Sequence, residues 1–182
     1  MSRTIRVLLV ALLALAGAAV AVPASAATAC ATPWGSLPES ASLLGRGAVV
    51  DVRSGRHACF DRLVFEVRGP AAGYSVQYVG QVTQDGSGAV VPVPGGARLQ
   101  VVLHHPAYDD RGNSTLPGAR PGRSLEDVRG YSTLRSVIYA GSFEGQTTIG
   151  VGTRARLPFR VFTLDGPGDR DRIVLDVAHR WS

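Results

Sequence analysis

The 182-residue sequence predicts an all-β fold, a single-domain β-sandwich or a partly closed barrel, from three observations. From Gly47 onward, short runs rich in Val and aromatic residues alternate apolar and polar at period two. Clusters of Gly, Pro, Asp and Ser separate these runs at close spacing. No stretch keeps a helical period over three turns. Eight to ten short strands on this pattern fit a sandwich or a barrel, with no second domain.

In order, the strand runs are GAVVDVR (47–53), RLVFEVR (62–68), YSVQYVGQV (74–82), GAVVPVP (88–94) and ARLQVVLHH (97–105). After a gap come RSVIYAG (135–141), QTTIGVG (146–152), FRVFTL (159–164) and RIVLDVAH (172–179). The turns between them are RSGRH, RGPAAG, TQDGSG, PGG and LDGPGDRD, and Asp85-Gly86 between two strand-like runs is a hairpin signal. The gap opens with Ala107–Pro121, a polar stretch rich in Gly, Pro, Asp and Asn that reads as a long surface loop. SLEDVRGYSTLRS (124–136) follows; Gly130 and its β-branched residues favour a strand or an irregular piece over a helix.

Ahead of this body, Arg3 and Arg6 precede an apolar run from Val7 to Val22, and Ala24-Ser25-Ala26 closes it. A charged start, an apolar middle and an A-x-A site make a secretory signal peptide. The run falls short of the ~20 residues of a membrane span. The expected organisation is therefore a signal peptide at 1–26, an extended N-terminal segment at 27–46 and a β domain at 47–182. No transmembrane segment is expected after cleavage, and about 156 residues remain to bury one core. In an exported chain the only two cysteines, Cys30 and Cys59, favour a disulfide. On the chain-entropy picture it removes roughly 3–4 kcal/mol of unfolded-state freedom. The alternative use of Cys30, lipid attachment, normally follows a Leu-small-small run, and Ala27-Thr28-Ala29 stands there instead.

All 19 basic residues are arginine, which excludes Schiff-base and phosphate-loop lysines. Losing Arg3 and Arg6 takes the net charge from +5 to +3, spread along the chain. The basic stripe of a nucleic-acid binder is absent.

One phrase occurs twice. Asp61-Arg62-Leu63-Val64-Phe65-Glu66-Val67 returns as Asp171-Arg172-Ile173-Val174-Leu175-Asp176-Val177. On a strand the Arg and the acid share a face but stand roughly 13 Å apart, too far to pair. Antiparallel copies with Val64 opposite Val174 bring Arg62 to Asp176 and Arg172 to Glu66, each pair worth roughly 0.2–1 kcal/mol. The competing use, Glu66 and Asp176 as glycosidase carboxylates, needs one raised pKa, whereas an adjacent arginine lowers it.

Other catalytic patterns are weak. His57, His104, His105 and His179 show no metal-ligand spacing, and Asp165, Asp169 and Asp171 lack the order of a calcium loop. There is no G-x-S-x-G elbow, and His57 near Cys59 matters little if that cysteine is oxidised. No catalytic residue, metal or cofactor is expected. GSFEGQTTIGVGTRARLPFRVF (141–162) is the densest stretch without an assigned role; its glycines precede no helix and so make no dinucleotide fingerprint.

GRHACFDRLVFEV, GYSVQYV, GSFEGQTTIGVGTRARLPFRVF and DRIVLDVAHRW, in that order, resemble the AMIN-like domain of secreted actinobacterial proteins and lipoproteins, over roughly Gly47 to Trp181. The resemblance implies a β-sandwich and a cell-envelope location. The related AMIN domains are held to localise amidases and secretins by binding peptidoglycan, and no such partner domain follows here. The expectation is a non-catalytic, extracytoplasmic, monomeric module that binds peptidoglycan or another cell-wall polymer. Its ligand-binding candidates are Tyr78, Glu144, Arg154, Arg160, His179 and Trp181, because aromatics stack on sugars and arginines pair with carboxylates or phosphates. The alternative is an envelope protein-interaction or structural module, acting through a sheet edge or the 107–121 loop. A secreted hydrolase comes third.

Overall fold

A computed structural model describes Cys30, residues 32–43, Gly45 and residues 47–181; the expected signal peptide lies outside them. The strands are β1 (Glu39–Ala41), β2 (Val49–Arg56), β3 (Phe60–Arg68), β4 (Tyr74–Val79), β5 (Val82–Thr83) and β6 (Val90–Val91), then β7 (Ala97–Leu103), β8 (Leu134–Phe143), β9 (Gln146–Thr153), β10 (Phe159–Leu164) and β11 (Arg170–Ala178). They form a five-stranded sheet, β1-β4-β7-β9-β8, a four-stranded sheet, β10-β11-β3-β2, and a small flap, β5-β6. Every named pairing is antiparallel. Among the described residues there is no helix and no sheet closes into a barrel, so the fold is sandwich-like.

Alternation builds the core. Leu63, Phe65 and Val67 of β3 and Ile173, Leu175 and Val177 of β11 are fully buried, with Leu99, Val101 and Leu103 of β7 and Ile149 and Val151 of β9 in the same cluster. Period-two side chains from the two sheets thus meet in one core. Burying Phe65 alone contributes about 1.5–3 kcal/mol.

The outer face of the five-stranded sheet is also covered along β8 and β9. Val82, Val91 and Val93 of the flap pack on Ile138 and Ala140 of β8 in a second apolar cluster. Glycines let the flap lie flat: a Cβ on Gly150 would stand 2.4 Å from Val93 Cγ2, and one on Gly152 1.8 Å from the Pro94 carbonyl oxygen. This gives the TIGVG glycines of β9 a packing role. Pro92 and Pro94 lack N–H donors, and the strand expected over 88–94 shrinks to Val90–Val91.

The N-terminal segment straps the two sheets together. The Cys30–Cys59 disulfide fixes its start beside β3, with the Cα atoms 5.3 Å apart. The Phe159 N–H donates to the Gly35 carbonyl (2.8 Å), the Val161 N–H donates to Glu39 Oε2 (2.8 Å), and β1 pairs with β4. Alongside, the Tyr74 hydroxyl donates to the Val161 carbonyl and the Tyr78 hydroxyl to that of Leu157. Burial pushes the Glu39 carboxyl above the usual carboxylate range. No period-two run announced the three-residue strand β1.

The other edges are covered or charged. Residues 122–125 bond to β8 through Gly122, Arg123 and Leu125. The 107–121 loop returns to β2, where the Thr115 hydroxyl donates to the Val49 carbonyl. The open part of β2 carries Asp51, Arg53 and Arg56, charges that oppose strand addition.

Candidate functional site

The outer face of the four-stranded sheet concentrates charge and aromatic rings. β3 and β11 pair antiparallel with Val64 opposite Val174, which puts Arg62 opposite Asp176, and β10 sets Arg160 on the other side of that acid. Asp176 is fully buried and takes both guanidinium groups. Arg62 Nε lies 2.6 Å from Oδ1 and Nη2 2.9 Å from Oδ2, while Arg160 reaches Oδ2 at 2.9 and 3.0 Å. The bond to Asp176 raises the Arg62 pKa further. Two cations share one anion, so the cluster keeps a net positive charge.

Aromatic rings frame that charge. Phe60, first residue of β3, lies edge-to-face with Trp34 of the strap at 5.6 Å. The Arg160 guanidinium sits 4.4 Å from the Trp34 ring centre and 4.9 Å from that of Phe162, and Arg62 lies 5.2 Å from Phe60. Such cation–π contacts are worth about 0.5–2 kcal/mol each. Trp34, Phe60 and Phe162 were absent from the sequence candidates. The disulfide offered a signal, since pairing Cys30 with Cys59 brings their near neighbours Trp34 and Phe60 together.

Beside this face, the 154–158 turn and the C-terminus gather four of the sequence candidates. Arg154 Nη2 donates to the His179 carbonyl (2.6 Å), and the Trp181 indole N–H donates to the Arg156 carbonyl (3.1 Å). Arg156 bonds Ser36 of the strap and lies over the Tyr78 ring. Arg154, Arg156, Arg180 and Trp181 are exposed. Tyr78 is not: its hydroxyl donates to the Leu157 carbonyl and accepts the Leu157 N–H, both at 2.9 Å, so it serves as an inter-sheet tie. Glu144 lies apart, at the tip of the β8–β9 hairpin. The eight residues of β9 put it about 27 Å of strand from Arg154.

His179 Nε2 stands 3.0 Å from Oδ1 of Asp61, which is fully buried. Asp61 Oδ2 accepts the N–H groups of Thr133 and Leu134, so the acid anchors a loop and orients His179. The second copy of the phrase does likewise, Asp171 accepting the N–H groups of Ala71 and Gly166.

The pairing expected for Glu66 needs correction. Arg172 stands opposite it in register, but the carboxylate is taken by Arg53 (2.9 Å) and Arg170 (2.8 Å), and Arg172 Nη2 donates to the Asp165 carbonyl. β2 supplies Arg53 to Glu66 and the start of β11 supplies Arg170, while the 165–169 turn draws Arg172 away.

His105 is fully buried; Ala72 donates its N–H to Nε2 and Nδ1 lies 2.7 Å from the Gly47 carbonyl, which fixes a neutral Nδ1–H tautomer. Burial holds its pKa below the ordinary histidine value. Among the described residues no group of three or more His, Cys, Asp or Glu could hold a metal ion, and no helix is long and apolar enough to cross a membrane.

A family model described as the AMIN-like domain matches residues 47–179. No curated protein matches the chain.

Proposed function

This chain belongs to the AMIN-like domain family, and from that premise we propose that it is an exported, non-catalytic module of the cell envelope that binds an anionic cell-wall polymer such as peptidoglycan. The observation that carries this is the arginine–aromatic face. Arg62 and Arg160 share a single buried carboxylate, so a positive charge remains between Trp34, Phe60 and Phe162. Sugar rings stack on such rings, and carboxylates or phosphates pair with guanidinium groups. Exposed Arg154, Arg156, Arg180 and Trp181 continue the basic surface around the end of the sandwich. An open surface of this kind suits a polymer better than a small substrate. The disulfide, formed in oxidising compartments, supports export.

The boundaries proposed are a signal peptide at 1–26, a strap within 27–46 and the β domain at 47–182, working as a monomer. Co-sedimentation with purified sacculi tests the function. The protein pellets with sacculi at low salt, less so as salt screens the arginines, and Arg154→Ala with Arg156→Ala lowers the bound fraction. Absence from the pellet at low salt refutes wall binding.

A further inference from the structure

At the far end of the sandwich lies a cleft of about 380 Å³, which the wall-polymer surface does not use. The size falls within the roughly 300–1,000 Å³ of small-ligand sites. Three segments wall it: the flap turn with Gln84 and Asp85, the long loop with Tyr108 and Arg120, and the β8–β9 hairpin with Tyr139 and Phe143.

Phe143 is the ring on offer. It is 45% exposed in a molecule whose other phenylalanines are half-buried or buried. Gly86, at φ +79°, packs against it so closely that a Cβ there would stand 3.1 Å from ring atoms. Next to it Glu144 adopts φ +47°, a left-handed backbone that costs a non-glycine residue on the order of 1 kcal/mol. The turn is held there by the Gly145 N–H, which donates to the Tyr108 hydroxyl at 2.9 Å. The hairpin tip is thus pinned to the long loop with Phe143 set at the rim.

Polar groups around the ring remain unspent. Asp85 uses only Oδ1, accepting the Gly86 N–H. Among the described residues, Asp85 Oδ2, the Tyr108 hydroxyl proton and the Arg120 guanidinium make no bond within the protein. One carboxylate and one guanidinium cancel in charge, so nothing in the lining selects an ion. An aromatic platform ringed by both acceptors and donors matches the C–H face and hydroxyl rim of a sugar ring.

We infer that this cleft binds one neutral pyranose unit of an oligosaccharide, its ring stacked on Phe143 and its hydroxyls on Asp85, Tyr108 and Arg120. The site is separate from the arginine–aromatic face, and its ligand is uncharged. The test is amide NMR on the full chain with its disulfide intact, titrated separately with cellotriose, maltotriose and triacetylchitotriose to about 10 mM. At least one sugar is expected to shift Asp85, Gly86, Tyr108, Phe143 and Gly145. Phe143→Ala should weaken that sugar about 3- to 10-fold, and Phe143→Tyr should retain it. No shifts with all three sugars, shifts confined to the Trp34 and Trp181 end, or unchanged affinity in Phe143→Ala would each overturn the assignment. Pelleting with sacculi, or its failure, leaves this outcome untouched.

Discussion

The two sheets turn very different outer faces to the world. The five-stranded sheet covers the β8–β9 part of its own with a flap seated over Gly150 and Gly152, and the contact there is aliphatic. The four-stranded sheet leaves its outer face half open and arranges arginines, acids and aromatic rings there. Both are built from the same period-two strands. What differs is the residue type at alternate positions: glycine where backbone must approach, arginine or acid where solvent is kept near. The dry face contributes stability, and the charged face is free to contact a partner.

The contrast breaks most completely at Gly152. Gly152→Val drives a side chain into the Pro94 carbonyl and should cost about 3 kcal/mol or more, read as a lower urea midpoint with loss of flap protection in hydrogen exchange. On the charged side, Cys30→Ser with Cys59→Ser should cost about 3–4 kcal/mol and release Trp34, visible as a red shift and quenching change in tryptophan fluorescence. Asp176→Asn leaves two guanidinium groups without their anion. Full burial of such a pair would make that worth about 3–5 kcal/mol, and the partial exposure of both arginines reduces the expectation to about 2 kcal/mol.

A smaller effect sharpens the comparison through pH. Burial lowers the folded pKa of His105, so the unfolded chain takes up the proton first, near pH 6.5. Stability from the neutral ring is complete above about pH 7 and falls as pH drops through that value, with a slope of at most about 1.4 kcal/mol per pH unit. Thermal melts across pH 7.5 to 4.5 should show this slope, and His105→Asn should flatten it. The smallest effect belongs to Arg170→Ala, which removes an exposed partner of Glu66 and should leave the urea midpoint close to that of the parent protein.

Much of the fold was legible in the sequence. Alternation located the long strands because each has one face in the core, and two cysteines in one chain left a single possible bridge. The strap strand ESA was not legible, since three residues carry no period and form a strand only because β4 offers an edge. The β9 glycines stood out in the sequence but acquired a cause only where residues 90–94 cross them. The candidate surface was half legible. Arg154, Arg160, His179 and Trp181 lie at one end and its adjoining face, but Trp34 comes from a distant segment and Phe60 gains meaning only beside it. Glu66 shows the same limit: register named its opposite residue, and flanking side chains decided its bonds.

The strap has a practical consequence for anyone who cuts the protein. The family match begins at residue 47, and a fragment started there is an inviting domain. Such a fragment would carry an orphan thiol at Cys59, leave the amides of Phe159 and Val161 without acceptors, and strip the indole from above Arg160. Its poor behaviour would say little about the whole molecule. The smallest piece worth purifying starts before Cys30.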